Sequence, residues 1–315
     1  MKLICRILIG LTVTFTVVGC TSKEKKEKKE AENTSQTPAP LKNFERVMPP
    51  ALLTDPAERA GYIITHYWTH FNFSDTMYCH APITEQALWE FFSLFQYATY
   101  KKTTEGIKKL LDAAEVEVVM YNYFIKMAER YLYEPNSPMR NDEYYIPFVE
   151  HVVASSKVAD EHKIRYQYLQ QVLYRNRPGS KAEDVIYTMA SGSTGRLYNI
   201  SAPYILLMFH NPDCTECKQT TAQIKSAAAI SAAVTSGKLK VLAVYPDEKL
   251  DIWRNHINDI PASWINGYDK TQAIRNNQTY DMKAIPTLYL LDKDKKVILK
   301  DVDVQMIENY LANNI

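Results

Sequence analysis

The stretch from Tyr204 to Lys218, YILLMFHNPDCTECK, joins an apolar run to a pair of cysteines. The six mostly apolar residues at its start have the length and continuity of a buried strand, and the polar segment HNPD then interrupts them. The segment from Cys217 to Val234 contains no glycine or proline and is rich in Lys, Gln, Ala and Ile, which predicts one helix. The pattern therefore predicts a strand that delivers Cys214 and Cys217 to the start of a helix.

A cysteine pair in this position has the chemistry of a redox centre. At a helix N-terminus, the free N–H groups and the helix dipole favour a thiolate on the first cysteine, Cys214, and a thiolate is the nucleophile that thiol chemistry needs. The spacing of the motif allows Cys217 to reach back and close a disulfide. Because the two thiols themselves accept and donate two electrons, we expect no cofactor and no metal.

A proline stands directly before a second apolar strand farther along the chain, in AIPTLYLLD from Ala284 to Asp292. Together, FHNPDCTECK and AIPTLYLLDKDKK resemble the TlpA and ResA type of membrane-anchored thiol-disulfide oxidoreductase, which has a thioredoxin-like fold. The resemblance implies that the Ile285–Pro286 bond is cis and that the backbone of Ile285 pairs with the substrate chain. It also implies an additional strand and helix, which we place within residues 247–269.

The residues around the cysteine pair depart from the pattern of that family. Thioredoxins carry a tryptophan before the first cysteine, where this chain has Asp213. Many of them deprotonate the second cysteine with a buried aspartate, at the position of Met208. The proton acceptor for Cys217 is therefore open between two candidates. One is Glu216, whose simpler role is a favourable charge in the first helical turn, and the other is His210, which a loop position would leave solvated.

The first residues have the features of an export signal. Two basic residues precede an apolar run over residues 7–18, which is too short for a comfortable membrane span. The VVGC that follows resembles a bacterial lipobox, which implies that residues 1–19 are a lipoprotein signal peptide and that Cys20 is lipidated. Residues 20–43 have mixed charge and then Pro, Ser and Thr, which predicts a disordered tether. We expect a lipid-anchored protein of a Gram-negative cell envelope, in a periplasmic or outer-membrane leaflet.

Residues 44–177 are predicted to form an all-α domain. Apolar residues recur there at three- and four-residue spacing in six segments, residues 57–73, 84–98, 104–114, 116–133, 142–154 and 158–176. Aromatic residues are dense in this region, which favours an aromatic core and leaves room for a groove. The segment HYWTHFNFSDT, residues 66–76, resembles the start of an uncharacterised helical domain of Gram-negative lipoproteins, and that resemblance carries no known activity.

Residues 178–315 are predicted to form the thioredoxin-like α/β domain. The turn-rich ASGSTG, residues 190–195, separates two strand-like runs, residues 184–189 and 196–200, and indicates a β-hairpin. The further predicted elements are strands at residues 239–245, 287–291 and 297–300 and a last helix at residues 304–313. Alternation of strand and helix signals favours a central sheet covered by helices on both faces.

Two features of the helical domain allow a second interpretation. His66 and His70 lie four residues apart, with Cys79 and His80 a short loop away, a spacing that metal ligands use. No Asp or Glu completes a motif, so packing of the imidazoles among aromatics is the simpler account. Cys79 would be the unpaired thiol of the exported protein. Burial explains it most simply, and a resolving or mixed-disulfide role is the alternative.

The expected function is reduction of protein disulfides in the envelope. Asp213 and Glu216 place negative charge beside the cysteine pair, which disfavours the thiolate and makes the pair a reductant. Such a reductant needs a membrane electron donor as partner. The net charge of +1 gives no reason to expect nucleic acid.

Two other interpretations of the cysteine pair are open. The two cysteines could be half of a zinc site, but such a site would need a second pair of ligands. A structural CxxC disulfide would suit a non-catalytic lipoprotein that binds a ligand or partner through its helical domain.

Overall fold

The computed structural model describes residues 45–315. Three predictions lie outside the described residues: the signal peptide over residues 1–19, the lipid on Cys20 and the tether over residues 20–43. All described residues belong to one structural unit, in which we call residues 45–177 the helical lobe and residues 178–315 the sheet lobe. Within residues 45–315, no helix has the length and apolar content that a membrane span requires.

The helical lobe contains six α-helices joined by short turns. They are α1 (Pro56–His66), α2 (Pro82–Ser93), α3 (Tyr100–Ala114), α4 (Val118–Ala128), α5 (Asp142–Ala154) and α6 (Asp160–Tyr174). Shorter turns of 3₁₀ or π type cover Thr76–His80, Phe95–Tyr97 and Glu129–Tyr133. One core, dense in aromatic rings, runs through the lobe.

The first predicted helix, which extended to Phe73, ends at His66, so that part of the prediction is wrong. Trp68, Phe71 and Phe73 all lie against the ring of Phe124, with centroid distances of 5.1, 5.9 and 5.8 Å. In a continuous helix, Phe71 and Phe73 would point to nearly opposite faces. The chain leaves the helix, and all three rings reach the core.

The sheet lobe is built on a seven-stranded mixed sheet with the order β2-β1-β5-β4-β3-β6-β7. Its strands are β1 (Ile186–Met189), β2 (Thr194–Arg196), β3 (Tyr204–Phe209), β4 (Leu239–Tyr245), β5 (Ile265–Tyr268), β6 (Thr287–Asp292) and β7 (Val297–Lys300). Its helices are α7 (Thr215–Ser226), α8 (Ala228–Thr235), α9 (Leu250–Asn255), α10 (Ala273–Asn276) and α11 (Val304–Asn314). Strand β3 runs parallel to β4 and antiparallel to β6.

Side chains of β3 alternate between the two faces of the sheet, as a strand requires. Ile205, Leu207 and Phe209 belong to one hydrophobic core, whereas Leu206 and Met208 belong to the other. The predictions of an α/β lobe with a central sheet covered on both faces and of a helical region before it are confirmed.

The single helix predicted from Cys217 to Val234 is wrong, because the chain forms two helices, α7 and α8. Ala227 separates them with an extended backbone, φ −67° and ψ 119°. The carboxylate of Glu308 on α11 accepts hydrogen bonds from the N–H groups of Ala229 and Ile230, at 2.8 and 3.0 Å. These N–H groups begin α8 and lack partners within the helix. A contact with α11, which is distant in the sequence, therefore stabilises the start of α8 as a separate helix.

The predicted hairpin is present, with β1 and β2 paired antiparallel. Its second strand ends at Arg196, and Leu197–Asn199 forms a 3₁₀ turn in place of the expected continuation to Ile200. Both α9 and β5 lie within residues 247–269, the segment predicted to hold the additional helix and strand.

Candidate redox site

The topology brings the two motifs of the sequence together at one end of the sheet. Phe209, the last residue of β3, pairs with Thr287, the first residue of β6. The HNPD segment leaves β3 at this point, and Pro286 enters β6 there. The Ile285–Pro286 bond is cis, as predicted. Because the two strands are antiparallel neighbours, the cysteine pair and the cis-proline meet.

Cys214 and Cys217 occupy different positions at the start of α7. Cys214 is the N-cap residue, and its Sγ accepts a hydrogen bond from the N–H of Cys217 at 3.4 Å. Cys214 is partly exposed, whereas Cys217 is 1% exposed, and both are free thiols in the structure. Burial raises the pKa of Cys217 even though the N–H of Asn211 donates to its Sγ at 3.4 Å. Cys217 is thus a buried thiol next to a partly exposed Cys214.

Asn211 organises the loop before the cysteines, a role that the sequence interpretation missed. Its Oδ1 accepts from the N–H of Asp213 at 3.0 Å, and its carbonyl accepts from the N–H of Cys214 at 3.0 Å. Its Nδ2 donates to Asp247 at 3.2 Å. An asparagine directly before a proline is a turn signal that could have indicated this role.

The sulfur of Cys214 has two acceptors beside it. Its thiol donates to Oε2 of Glu216 at 3.2 Å and lies 3.5 Å from the carbonyl oxygen of Ile285. The backbone N–H of Glu216, followed by the thiol of Cys214, lowers the pKa of the exposed Glu216 carboxyl. Glu216, the predicted candidate for proton transfer with Cys217, therefore contacts the other cysteine. Ile285, predicted to pair with substrate, lies directly beside the exposed sulfur.

His210 was expected to be solvated, and this is wrong, because the residue is 1% exposed. Its N–H continues the sheet by donating to the carbonyl of Val244 at 3.1 Å, which carries the residue beneath the redox loop. Nε2 of His210 has no hydrogen-bond partner among the described residues, and burial lowers the pKa of the imidazole to about 4. His210 and Cys217 line one cavity of about 250 Å³, together with Thr221. A neutral imidazole and the buried thiol thus share this space.

A second cavity, of about 530 Å³, borders the redox loop at Asn211. Asn211 lines it together with Asp247 and Arg275, which form an ion pair of 2.6 Å. Close by, Nε2 of His256 lies 3.5 Å from Oδ1 of Asp213. The surface around the cysteines therefore carries charges of both signs, contributed largely by elements that the sequence interpretation did not connect with the site.

Of the four residues considered as metal ligands, His66 and Cys79 make contacts within the helical lobe, whereas His70 and His80 are exposed. Nδ1 of His66 lies 2.9 Å from the carbonyl of Tyr62, and the two rings stack at 4.3 Å. Cys79 is buried, with its Sγ 3.7 Å from the sulfur of Met120, and burial raises the pKa of its thiol. Across residues 45–315, no group of three or more His, Cys, Asp or Glu side chains is arranged to hold a metal ion.

The helical lobe has a cavity of its own, with a volume of about 540 Å³. Its wall includes apolar side chains of α4 and α5, among them Ile125 and Val152. Tyr121, Arg165 and Tyr166 add polar or aromatic groups. This is the space that a groove in the helical lobe would use.

A strand that leads into a CxxC at a helix start, opposite a cis-proline at the start of the neighbouring antiparallel strand, defines the thioredoxin-like class. Residues 203–297 match a family described as thioredoxin-like, and residues 19–176 match a domain of unknown function, DUF5106. A crystal structure of a thioredoxin-like protein from Bacteroides caccae ATCC 43185 is 43% identical, with a TM-score of 0.84, over 87% of this chain and 100% of that chain. The chain belongs to the thioredoxin-like proteins that carry a DUF5106 domain.

Two shorter structures resemble part of the chain. The C-terminal domain of an uncharacterized protein from Bacteroides fragilis NCTC 9343 is 49% identical over 44% of this chain and 98% of that one, with a TM-score of 0.43. A domain of a possible thiol-disulfide isomerase from Cytophaga hutchinsonii ATCC 33406 is 24% identical over 44% and 94%, with a TM-score of 0.39. No match was found among curated proteins.

Proposed function

We propose that the protein is a lipid-anchored thiol-disulfide oxidoreductase of TlpA and ResA type, which reduces disulfides of envelope proteins in a Gram-negative bacterium. One observation carries this proposal: Sγ of Cys214 is partly exposed at the N-terminus of α7 and lies 3.5 Å from the carbonyl of Ile285. An extended substrate chain that pairs with the backbone of Ile285 would hold its own disulfide beside this sulfur.

The cycle begins when the thiolate of Cys214 attacks a substrate disulfide. A mixed disulfide forms and one substrate thiolate leaves. Cys217 then loses its proton and attacks Sγ of Cys214, which closes the Cys214–Cys217 disulfide and releases the second substrate thiol. Two electrons pass to the substrate, and a membrane donor must return them. For the proton of Cys217, His210 is the better placed of the two candidates, because it lines the same cavity as Cys217, whereas Glu216 contacts Cys214.

The direction of electron flow follows from the charges beside Cys214. The carboxylate of Glu216 accepts a hydrogen bond from the thiol and opposes a negative charge on that sulfur. Enzymes that oxidise strongly do so because their reduced form is stabilised, so this pair should be a reductant with a potential below about −200 mV. Equilibration of the purified protein with glutathione buffers measures the reduction potential. A potential of about −120 mV would contradict the proposed direction of electron flow.

Reduction of insulin by the purified full-length protein in detergent, with dithiothreitol as the electron donor, tests the activity. We expect turnover by the wild type and none by Cys214→Ser. Cys217→Ala should accumulate a mixed disulfide on Cys214, because the resolving thiol is absent. Trapping by Cys214→Ala in place of Cys217→Ala would reverse the roles of the two cysteines.

Anchoring rests on the VVGC motif and is tested separately. Cells fed a fatty-acid analogue should label the wild type and leave Cys20→Ala unlabelled. Equal labelling of the two proteins would exclude lipidation at Cys20. A lipid and a flexible tether would keep the redox site within reach of a membrane donor.

The second candidate function is a lipoprotein that binds a ligand through its helical lobe and uses its cysteines only structurally. The cavity of about 540 Å³ supports it, because small-molecule sites have volumes of this order. A wild-type protein that reduces neither insulin nor a small aromatic disulfide would favour this second function over the first.

A further inference from the structure

The loop that carries Ile285 is tied to the helical lobe. We call residues 277–286 the Pro286 loop. Three side chains of the helical lobe donate hydrogen bonds to it: Arg175 Nη1 to the carbonyls of Asn277 and Gln278 at 2.5 and 2.6 Å, Asn176 Nδ2 to the carbonyl of Thr279 at 2.7 Å, and the Tyr133 hydroxyl to Oδ2 of Asp281 at 3.1 Å. The first half of the loop, residues 277–281, is thus held from outside its own lobe.

A buried ion cluster completes the attachment. Nζ of Lys283, on the Pro286 loop, lies 2.9 Å from Oδ1 of Asp142 on α5, 3.1 Å from Asp281 and 3.3 Å from Asp301. Nζ of Lys300 lies 3.0 Å from the other carboxylate oxygen of Asp142. The side chains of Lys283 and Lys300 are 4% and 3% exposed. Asp142, from the helical lobe, therefore joins two lysines of the sheet lobe.

The charges of this cluster balance. Arg140 adds a third cation, with Nε 3.1 Å from Oδ2 of Asp301, so three cations face three carboxylates. Burial alone would raise the pKa of Asp142, but the ammonium groups of Lys283 and Lys300 hold it below its ordinary value. Removal of one partner would leave a charge buried without compensation, which is far more costly than loss of an exposed pair. The cluster therefore resists any movement that separates its members.

The attachment ends at Lys283, two residues before Ile285, whose backbone is proposed to pair with substrate. Lys283 is held by the cluster, Ala284 follows, and the carbonyl of Ile285 lies 3.5 Å from Sγ of Cys214. A series of contacts thus connects Asp142 of α5, through Lys283 and the backbone of Ile285, to the sulfur of Cys214. Small displacements of catalytic groups reduce rates strongly, so a rigid support at this point has a direct effect on the chemistry.

We propose that the helical lobe acts as a positioning device for the redox site, in which Asp142, through Lys283, holds the backbone of Ile285 beside Cys214 for pairing with a protein substrate. This rests on the proposed function, because only a substrate chain makes use of the held backbone. Asp142 is a positioning residue that acts through Lys283. The rate with a protein disulfide should depend on it, whereas the rate with a small disulfide, which needs no backbone pairing, should not.

The test compares Asp142→Asn with Glu143→Gln in the full-length protein. Glu143 is the next residue of α5 and pairs with Arg177 of its own lobe, at 2.5 Å, so the same chemical change there leaves the Pro286 loop attached. Hydrogen–deuterium exchange of the peptide that spans residues 284–288 should be about tenfold faster in Asp142→Asn and unchanged in Glu143→Gln. The value of kcat/KM for insulin should fall about tenfold in Asp142→Asn alone, and the rate with a small aromatic disulfide should stay within about twofold.

A milder variant keeps the test decisive if Asp142→Asn does not fold. Arg175→Gln removes the bonds to Asn277 and Gln278 from a partly exposed side chain and should also increase exchange in residues 277–288. Exchange equal to that of Glu143→Gln in both variants would overturn the proposal. An equal fall with insulin and with the small disulfide would overturn it as well, because partial unfolding affects both. If the wild type reduces neither substrate, the proposed function fails, and the exchange data still decide whether the helical lobe holds the loop.

Discussion

The two lobes differ in what their side chains do. The sheet lobe brings together Cys214, Cys217 and the Ile285–Pro286 bond at one end of its sheet, whereas the helical lobe packs its aromatic residues into one core. The helical lobe nevertheless contributes Asp142 to a buried ion cluster that ends beside the redox site. A lobe that contributes no thiol to the site can still determine the rigidity of the site, because rigidity depends on contacts and does not require reactive groups.

The largest expected difference in activity is between substitutions of two cysteines in different lobes, the partly exposed Cys214 and the buried Cys79. Cys214→Ser should reduce insulin reduction to the uncatalysed rate, because the attacking sulfur is lost. Cys79→Ala, in the helical lobe, should leave kcat/KM within about twofold, since its sulfur contacts Met120 inside the core and not the redox site. Loss of activity in Cys79→Ala would mean that the helical lobe takes part in the electron transfer.

The next prediction compares the cores of the two lobes. Phe124 and Phe209 are both fully buried, one in each lobe, and replacement of either by Ala should lower the free energy of unfolding by about 3–5 kcal/mol. Because the buried ion cluster joins the lobes, denaturant unfolding followed by tryptophan fluorescence and by circular dichroism should show one shared transition in each variant. Two separate transitions, of which only one moves, would show that the lobes unfold independently.

A smaller effect should appear in the pH dependence of stability, through His210 of the sheet lobe. Burial lowers the pKa of His210 from 6.5 to about 4, so between these values the unfolded chain binds a proton that the folded protein does not. The free energy of unfolding should therefore fall as the pH falls from 6.5 to 4. The total loss should be about 3 kcal/mol, because one pH unit corresponds to about 1.36 kcal/mol. Above pH 6.5, His210 should have no effect on stability.

Denaturant unfolding at several pH values measures this dependence. His210→Phe should remove it, whereas the matched variant His256→Gln, at a more exposed histidine of the same lobe, should keep it. An unchanged pH profile in His210→Phe would exclude His210 as its source.

The smallest effect concerns the break between α7 and α8. Glu308→Gln removes the carboxylate that accepts from the N–H groups of Ala229 and Ile230 and should cost about 1 kcal/mol, as the loss of a helix cap does. Thermal unfolding would show this as a small decrease in Tm. A Tm equal to that of the wild type would mean that the carboxylate contributes nothing to the start of α8.

Local pattern predicted several elements to the residue. Strands β3, β4 and β7 and helix α5 have the predicted bounds, because a continuous apolar run or a 3.6-residue period, bounded by turn or capping residues, is a property of the segment itself. The cis bond before Pro286 and the neighbourhood of the two motifs followed from the resemblance to a known family. The assignment of Cys214, Cys217, Ile285, Pro286 and Glu216 to the site stays a prediction for the experiments above to test.

The sequence by itself determined the strand that leads to the cysteine pair, the helix start at that pair and the proline before β6, because each is encoded in neighbouring residues. Only the tertiary structure decided that His210 is buried, that Glu308 divides a helix that contains no glycine or proline, and that Asp142 lies 2.9 Å from Lys283. These features depend on residues far apart in the chain, and burial and electrostatic contact have no local periodicity from which they could be predicted.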